Sequence, residues 1–499
     1  MKRTFTFLAT LSVVGFSIGE IGSTSDSFSN TVRVSASNHL IFSSANNDVD
    51  KSLPPVKSFL NEGKARAEFG NWNGDLHFTN SYLPQNNPKT NRLIQLEKKS
   101  LRYESKNWQV IVGDSHEELG RGIALSLYSE PVFGIDNTLE GALVKYRPEN
   151  LEVSLWGGRI NTLVTPVAIN PVDMRMKDRN VLMASGSLGY KLSGNNRLGG
   201  HYLITVNQRK LDLDLDKRLQ TVGLTFAQEN ILNSIDLYME SNVMVTDKAN
   251  KGHWNRDPNA SASFASLSWS KSPWTLKAEL KDYRKFDCDF RRPPSLEEDV
   301  PLVNVPNNIS DVTAARIYAE NRSLESGTKI YSSFLYGRDR LENANFYHAV
   351  LGNKIPLGQK SEVEFKTGYR WLLNHSNISH GSIKGKIKTL PGQMVELEFK
   401  KQYSQLQLNT TPTLEDRNAV AITYSFSESW NMSAGLEYVP TNDLELGKEF
   451  FNLGASYKKG SLSSRAFIGK TSGGAQCAGG VCRQVPAYSG AMLEASYLF

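Results

Sequence analysis

The sequence predicts an all-β chain that folds as one large, single-chain transmembrane antiparallel up-and-down β-barrel of about 22–24 strands. Three observations carry this prediction. Apolar and polar side chains alternate along many segments, and the breaks between these segments alternate between short and longer. In addition, no apolar run reaches the roughly 18 residues that a transmembrane helix requires. Together these features favour a chain that would cross a membrane with strands.

Alternation with a period of two residues is clearest in 274–281, 361–371, 395–403 and 420–426. Successive side chains of a strand point to opposite faces, so each of these segments has one apolar and one polar face. The polar faces carry many Glu and Lys residues, which indicates contact with water. No helical period of comparable strength is present.

The last segment of the chain has the same pattern and ends on an aromatic residue. Counting back from the end by twos gives an apolar face. A terminal alternating segment of roughly ten residues resembles the closing strand of bacterial outer-membrane barrels. This resemblance implies that the barrel-insertion machinery reads the same residues, so the predicted assembly signal comprises Leu493, Ala495, Tyr497 and Phe499.

The connections provide a second signal. Short breaks lie at 147–150, 193–196, 271–273, 427–429 and 458–460. Between them lie generally longer breaks, at 161–179, 244–258, 286–308, 405–415, 441–447 and 471–489. If the C-terminus is periplasmic, this pattern predicts short periplasmic turns and long extracellular loops. Two breaks depart from the pattern, since 340–343 is short and 353–359 is longer than its side predicts.

Residues 1–19 are predicted to be a secretory signal peptide, which leaves residues 20–499 as the barrel. Lys2 and Arg3 precede an apolar stretch, Phe5–Ile18, that is too short to span a membrane as a helix. The alternative is a buried N-terminal helix. The formal net charge of +6 is small for 499 residues and gives no nucleic-acid-binding signature.

The chain has three cysteines, and two of them enclose a short glycine-containing segment. An exported chain meets oxidising conditions, so Cys477 and Cys482 are predicted to form a disulfide. The alternative is a metal or redox pair, although the spacing matches neither a CxxC motif nor a zinc pattern. Cys288 is left unpaired.

The most enzyme-like segment is 113–122, where Gly113, Asp114 and Ser115 follow a predicted strand. Gly-Asp-Ser at this place resembles the nucleophile block of a lipase and esterase family. A nucleophilic serine needs a histidine that activates it, and no Asp-x-x-His follows. The alternative is a glycine-rich bend that packs inside the barrel. A surface hydrolase is therefore a minor hypothesis.

Two further segments offer metal ligands. The carboxylates of 211–216 alternate along one face and could bind Ca²⁺, although alternation on a wet strand face is the simpler interpretation. His375 and His380 fall in a predicted extracellular loop without evident co-ligands. We therefore expect no metal and no cofactor.

The predicted loop 286–308 carries a positive cluster beside a negative one. These charges either line a constriction that sorts solutes by charge or belong to a solvated external loop. The candidate residues are Arg291, Arg292, Glu297, Glu298 and Asp299.

Three stretches, 113–137, 293–296 and 477–486, resemble an uncharacterised family of porin-like Gram-negative outer-membrane β-barrel proteins. The last of these stretches is the most specific. The resemblance implies a barrel fold and an outer-membrane location, and it implies no catalytic residue or substrate.

A barrel of this size is too wide for its own side chains to fill. Strand pattern begins soon after the predicted signal peptide, so no separate plug domain is expected, and the lumen would hold water, infolded loops or another protein. The leading hypothesis is a non-enzymatic pore for small solutes, with membrane lipid and the insertion machinery as partners. The alternative is a scaffold whose lumen encloses a lipoprotein or a multihaem cytochrome.

Overall fold

The structure is a computed structural model, and the residues it describes form one closed barrel. It describes residues 32–499 apart from 46–55, 83–91, 131–134, 165–175, 179–180, 193–194, 208–216, 249–259, 287–289, 291, 295, 297–310, 342, 359, 373–375, 409–410, 440–448, 473, 479–480 and 486–487. The predicted signal peptide lies outside these residues and stays a prediction. Among the described residues, no helix has the length and apolar character needed to cross a membrane.

The strands follow one another along the chain as β1 Arg33–Ala45, β2 Val56–Phe69, β3 Trp72–Tyr82, β4 Arg92–Glu104, β5 Trp108–Ser115, β6 Glu118–Leu119, β7 Leu125–Ser126, β8 Ser129–Glu130, β9 Ile135–Tyr146, β10 Leu151–Val164, β11 Met176–Asp178, β12 Val181–Lys191, β13 Asn196–Asn207, β14 Lys217–Ile231, β15 Ile235–Lys248, β16 Ala260–Lys271, β17 Trp274–Arg284, β18 Val312–Arg322, β19 Lys329–Asp339, β20 Ala344–Gly358, β21 Ser361–Leu372, β22 Ser376–Lys388, β23 Met394–Leu408, β24 Thr411–Ser425, β25 Trp430–Tyr438, β26 Glu449–Lys459, β27 Leu462–Thr471, β28 Gly474–Ala478, β29 Val481–Val485 and β30 Tyr488–Leu498. The barrel wall consists of 24 long strands. The short strands β8 and β11 add local pairs to β9 and β10 in the same sheet, and β6–β7 and β28–β29 form separate two-stranded sheets.

The first and last strands close the barrel. β1 pairs antiparallel with β30, from Ser37 opposite Leu498 to Ala45 opposite Gly490. Every other wall strand pairs with its neighbours in the wall, also antiparallel. Each wall strand thus has a wall neighbour on both sides, and the ladder hydrogen bonds satisfy the backbone polar groups where these pairs extend, as a membrane-spanning sheet requires. The predicted fold class and a strand number of 22–24 are confirmed.

The two faces of the wall differ as the alternation predicts. On β24, Val420 and Ile422 leave 48% and 43% of their surface exposed on the outer face, and the neighbouring Ala421 faces the lumen. On β30, Leu493 and Tyr497 are similarly exposed, while Glu494 reaches His39 across the lumen side. Large apolar side chains exposed over a whole outer surface are stable only against lipid.

Aromatic side chains concentrate at both ends of the wall. At the end that holds the short turns, ring pairs include Trp72 with Tyr103 and Trp108 with Tyr146, at centroid distances of 5.0 and 4.5 Å. At the opposite end, the ring of Tyr347 lies 5.3 Å from that of Trp371. Aromatic girdles of this kind mark the two membrane interfaces of outer-membrane barrels.

The short and the longer connections lie at opposite ends of the barrel. Both chain termini of the barrel and the short turns, such as 70–71, 272–273 and 460–461, share one end, named here the turn end. The longer connections, such as 116–134 and 285–311, start from the other, named the loop end. The predicted alternation of turns and loops is therefore present.

Three predicted breaks are wrong in extent. β23 continues to Leu408 and β24 begins at Thr411, so 405–415 is largely strand. β15 continues to Lys248, so the start of 244–258 is also strand, and 249–258 lie outside the described residues. The break at 353–359 also lies mostly in a strand, because β20 ends at Gly358. Pro356 sits at a bulge near the end of β20, and a proline in that position resembles a turn in sequence. Ladder hydrogen bonds thus extend strands beyond their alternating segments.

Candidate functional site: the barrel lumen

The lumen contains a segment that leaves the wall part-way along β5. Ser115, the last residue of β5, pairs with Leu139 of β9 in the middle of that strand. The chain then turns inward and forms a small hairpin from β6 and β7, in which Leu119 pairs with Leu125. We name Glu118–Ser126 the inner hairpin. It returns to the wall through β8, which pairs with the start of β9.

Apolar side chains attach the inner hairpin to about half of the wall. Ile123 is fully buried against lumen-facing residues of β14–β19, among them Met244 and Phe264. Leu119 and Leu125 are buried against lumen-facing residues of β5 and β9–β13, among them Leu143. This half of the lumen is therefore filled with a packed apolar core, which is unusual for a barrel interior.

The tip of the inner hairpin is bonded to the wall at Glu240 of β15. The backbone N–H of Arg121 donates a hydrogen bond to Glu240 Oε2 at 2.8 Å. Glu240 also accepts hydrogen bonds from Tyr238 Oη at 2.7 Å and Asn242 Nδ2 at 2.9 Å. The Arg121 guanidinium lies 4.0 Å from the centre of the Tyr238 ring, which adds a cation–π contact. Four contacts thus converge on one buried carboxylate and one hairpin tip.

Glycine at position 120 is required by this close approach. Gly120 has a φ of +59°, and a Cβ at this position would lie 2.3 Å from Glu240 Oε2. A larger residue would be strained in its backbone and would also collide with the carboxylate. The glycine-rich character of 113–122 therefore reflects packing inside the barrel, which was one of the two sequence interpretations.

A second polar contact attaches the base of the hairpin to the wall. Lys145 Nζ lies 2.8 Å from Glu117 Oε2, and only 7% of the Glu117 side chain is exposed. Burial raises the pKa of the Glu117 carboxyl above its usual range, and the hydrogen bond from Lys145 opposes this rise. Ionisation of Glu117 therefore costs more when the hairpin is docked than when it is in water.

The described part of connection 285–311 also folds into the lumen. Phe286 and Leu296 are buried in the same cluster as Ile123. We name the described residues of 285–296 the inner loop. Its backbone bonds to the inner hairpin, since Arg292 N–H donates to the Gly122 carbonyl at 2.9 Å and Ser126 N–H donates to the Phe290 carbonyl at 2.7 Å. The inner hairpin and inner loop form one unit, the luminal insert.

Of the candidate pore charges, the structure describes only Arg292, which lies in the inner loop with its guanidinium 4.7 Å from the centre of the Tyr128 ring. Arg291, Glu297, Glu298 and Asp299 lie outside the described residues. Arg292 thus lies inside the barrel, and whether these charges form a constriction stays open. Its role in sorting solutes stays a prediction.

The other half of the wall, formed by β20–β27, β30 and β1–β4, is polar on its lumen side. Ion pairs run across β20–β23, from Lys354 with Glu362 at 2.7 Å to Lys384 with Glu396 at 2.8 Å. Lys386 lies 3.6 Å from Glu396 and 3.9 Å from Glu362, which joins the two pairs. These side chains are 25–39% exposed, in contrast to Glu117 on the insert. Water therefore has access to this half.

The remaining predicted sites are placed as follows. Ser115 is 6% exposed in the wall, and none of the described hydrogen bonds joins it to a histidine. His380 lies in β22, not in a loop, and its Nε2 is 3.0 Å from His348 Nε2. The loop placement was wrong because a polar strand face and a polar loop look alike in sequence. His375 and 211–216 are outside the described residues, and in the described part no three His, Cys, Asp or Glu residues gather as metal ligands.

The cysteine pair lies in the hairpin β28–β29. In its backbone register Cys477 stands directly opposite Cys482. The side chains are outside the described set, so the disulfide stays a prediction. The assembly signal also stays a prediction, although Leu493 and Tyr497 lie on the outer face of the closing strand.

Sequence reasoning missed the partners of the insert. Glu240 and Lys145 look like ordinary charges on the wet faces of β15 and β9. The apolar run Ile123–Leu127 inside a connection was the available signal, because a solvated loop rarely carries one.

The fold and its filled lumen define the class of the molecule: it is a transmembrane β-barrel with an internal insert. The chain belongs to a family of unknown function, DUF6029, whose model matches residues 75–308 and 362–499. The predicted family resemblance is thereby confirmed. No curated protein matches the sequence significantly.

Solved structures of similar fold include three outer-membrane proteins. The P pilus usher PapC translocation pore is 10% identical, with coverage of 93% of this chain and 99% of that chain and a TM-score of 0.49. The copper transporter OprC is 10% identical, with coverage of 93% and 80% and a TM-score of 0.48. Pseudomonas aeruginosa OccK2, in complex with glucuronate, is 10% identical, with coverage of 76% and 98% and a TM-score of 0.37.

Proposed function

We propose that this protein is a non-enzymatic outer-membrane channel for small polar solutes, with a conducting path along the uncovered half of the lumen. The observation that carries the proposal is the division of the lumen. The luminal insert covers the apolar half, and the charged half, with Lys386 and Glu396, remains accessible to water. A water-filled path lined by charge of both signs lets small hydrated solutes pass and excludes larger ones.

In this proposal the protein resides in the outer membrane of a Gram-negative cell after export with the signal peptide 1–19. The turn end faces the periplasm and the loop end faces outward, as in other barrels whose short turns are periplasmic. The insertion machinery reads Leu493, Ala495, Tyr497 and Phe499, and outer-membrane lipid contacts the exposed apolar face.

Conductance of the purified full-length protein in planar bilayers tests the proposal. We expect small, steady ion-conducting steps from the unmodified protein. Replacement of residues 119–125 by a Gly-Ser linker of equal length should increase the step size, because it removes the core of the insert. The Leu436→Val variant serves as a control, since Leu436 is exposed on the outer face of β25, opposite Val420, and lies outside the lumen. Bilayers that stay silent with both the unmodified and the linker protein would refute the channel.

The scaffold alternative receives less support from the same geometry. A lipoprotein or cytochrome enclosed by the barrel would need the space that Ile123 and Phe286 occupy. Copurification of a second protein or of haem absorbance with the barrel would favour that alternative.

A further inference from the structure

A second feature of the lumen lies between the wall and the start of the insert. Strands β1–β4 and the chain around His116 enclose a cavity of about 390 Å³. The cavity lies in the half of the barrel that is nearer the turn end. Its wall side carries the cationic side chains Lys64, Arg66, Lys98 and Arg102. Its volume lies in the range of pockets that hold a small ligand.

These cations face the lumen. On β2, Phe69 is exposed on the outer face. Lys64 and Arg66 each lie an odd number of residues from Phe69 along the strand, so their side chains point to the opposite, inner face. On β4, the exposed Leu101 places Arg102 on the inner face in the same way.

Positive charge exceeds negative charge in this cavity. The lining contains four Lys or Arg side chains and two carboxylates, Asp75 and Asp114. Both carboxylates already have polar partners within the protein. Asp75 contacts Arg66 at 3.8 Å and accepts a hydrogen bond from Ser100 at 3.5 Å. Asp114 accepts hydrogen bonds from the Lys99 N–H at 2.8 Å and from Thr138 Oγ1 at 3.2 Å.

Two of these cations differ from those on the opposite wall. Within the described residues, neither Lys64 nor Arg102 forms an ion pair, and Arg102 Nε is buried without a hydrogen-bond partner. On the opposite wall, by contrast, Lys354, Lys384 and Lys386 all contact carboxylates. A buried guanidinium N–H without a partner is costly unless a ligand supplies an acceptor.

We propose that this cavity binds a small solute that carries a carboxylate or phosphate group. Arginine donates in a planar fork that matches both oxyanions, and lysine adds a point charge. The hydroxyls of Ser35, Ser37 and Ser129 in the lining supply further donors. The proposal deepens the proposed channel function, because a binding site beside the path would enrich anionic solutes before they pass.

Calorimetric titration of the detergent-solubilised full-length protein tests the site without requiring conductance. Citrate and inorganic phosphate are the two probes, and glucose is the uncharged control. We expect saturable binding of at least one anion and none of glucose. Lys64→Gln and Arg102→Gln should each weaken that binding about tenfold, as expected for loss of one charge-assisted hydrogen bond.

Lys386→Gln is the matched control, because it removes one lumen-facing cation from the opposite wall. Its affinity for the anion should equal that of the unmodified protein, and heat-dependent gel mobility should show that all variants are folded. Absence of binding by both anions, or equal weakening in Lys386→Gln, would overturn the proposal. Silent bilayers combined with normal anion binding would refute the channel and leave the site intact.

Discussion

The backbone N–H of Arg121 donates a hydrogen bond to Glu240 Oε2, and this bond joins the tip of the inner hairpin to the barrel wall. Arg121 and Glu240 are 119 residues apart in the chain, so the bond forms only when β15 and the end of β5 share one lumen. The bond is one of the contacts that dock the luminal insert, beside its apolar packing and the Lys145–Glu117 ion pair.

Glu240→Ala should loosen the insert. The variant removes the acceptor of the Arg121 hydrogen bond, which joins the insert to the wall, and a hydrogen bond to a charged group contributes about 1.5–3 kcal/mol. The fraction of time that the insert is undocked should therefore rise by at least about tenfold. Single-channel recording would show this as added long openings of larger conductance. Leu436→Val, on the outer face of β25, is the control, and identical traces for Glu240→Ala and the unmodified protein would contradict the prediction.

Docking of the insert should weaken as pH rises. Glu117 has a raised pKa in the docked state because it is buried, so the docked insert holds the proton more tightly than the free segment. The stabilisation of the docked insert by protonated Glu117 is complete at pH values below the ordinary glutamate pKa of about 4.3. It is lost as the pH rises through the raised pKa of the docked state. Lys145, Arg147 and Glu152 are the charged groups that act on Glu117.

Conductance recorded between pH 4 and pH 8 tests whether docking of the insert weakens as the pH rises. We expect larger or more frequent openings at the alkaline end for the unmodified protein. For Glu117→Gln, we expect the conductance to depend less on pH. A steeper dependence in Glu117→Gln, or closure on raising the pH, would show that another group controls the insert.

The outer face of β24 should not tolerate a charge. Val420→Arg places a guanidinium in lipid, and such substitutions cost about 2–4 kcal/mol near the bilayer midplane. Ala421→Arg is a matched control one residue away, because its side chain faces the lumen. Urea titration of both variants in lipid vesicles measures the difference in the free energy of unfolding. Equal destabilisation by the two substitutions would contradict the assigned faces.

The hairpin β28–β29 should hold a disulfide in the exported protein. Cys477 and Cys482 are opposite each other in its register. Thiol titration of the denatured chain should detect one reactive thiol, Cys288, before reduction and all three afterwards. Cys288→Ser should have no reactive thiol before reduction. Three thiols in the unreduced, denatured native sequence would exclude the disulfide.

The wall of the barrel could be predicted from the sequence because its signals are local. Alternation along 420–426 assigns Val420 to lipid and Ala421 to the lumen, and the terminal aromatic strand resembles a known closing strand. Strand ends were less certain, as Leu408 and Thr411 show, since a ladder can extend through polar residues that no longer alternate.

The candidate sites depended on contacts between distant parts of the chain. Glu240 is indistinguishable in sequence from a solvated strand charge, and so is Arg102. Arg102 shares a cavity with His116 only because the chain leaves the wall at Ser115 and turns inward.

The sequence by itself determined that the chain is a barrel, which side of each strand meets lipid, and which end carries the short turns, because alternation and turn chemistry act between near neighbours. Only the tertiary structure decided which half of the lumen is filled and where positive charge collects. Closure of the ring brings strands from the whole chain around one space, and no local pattern records which of them will face each other across it.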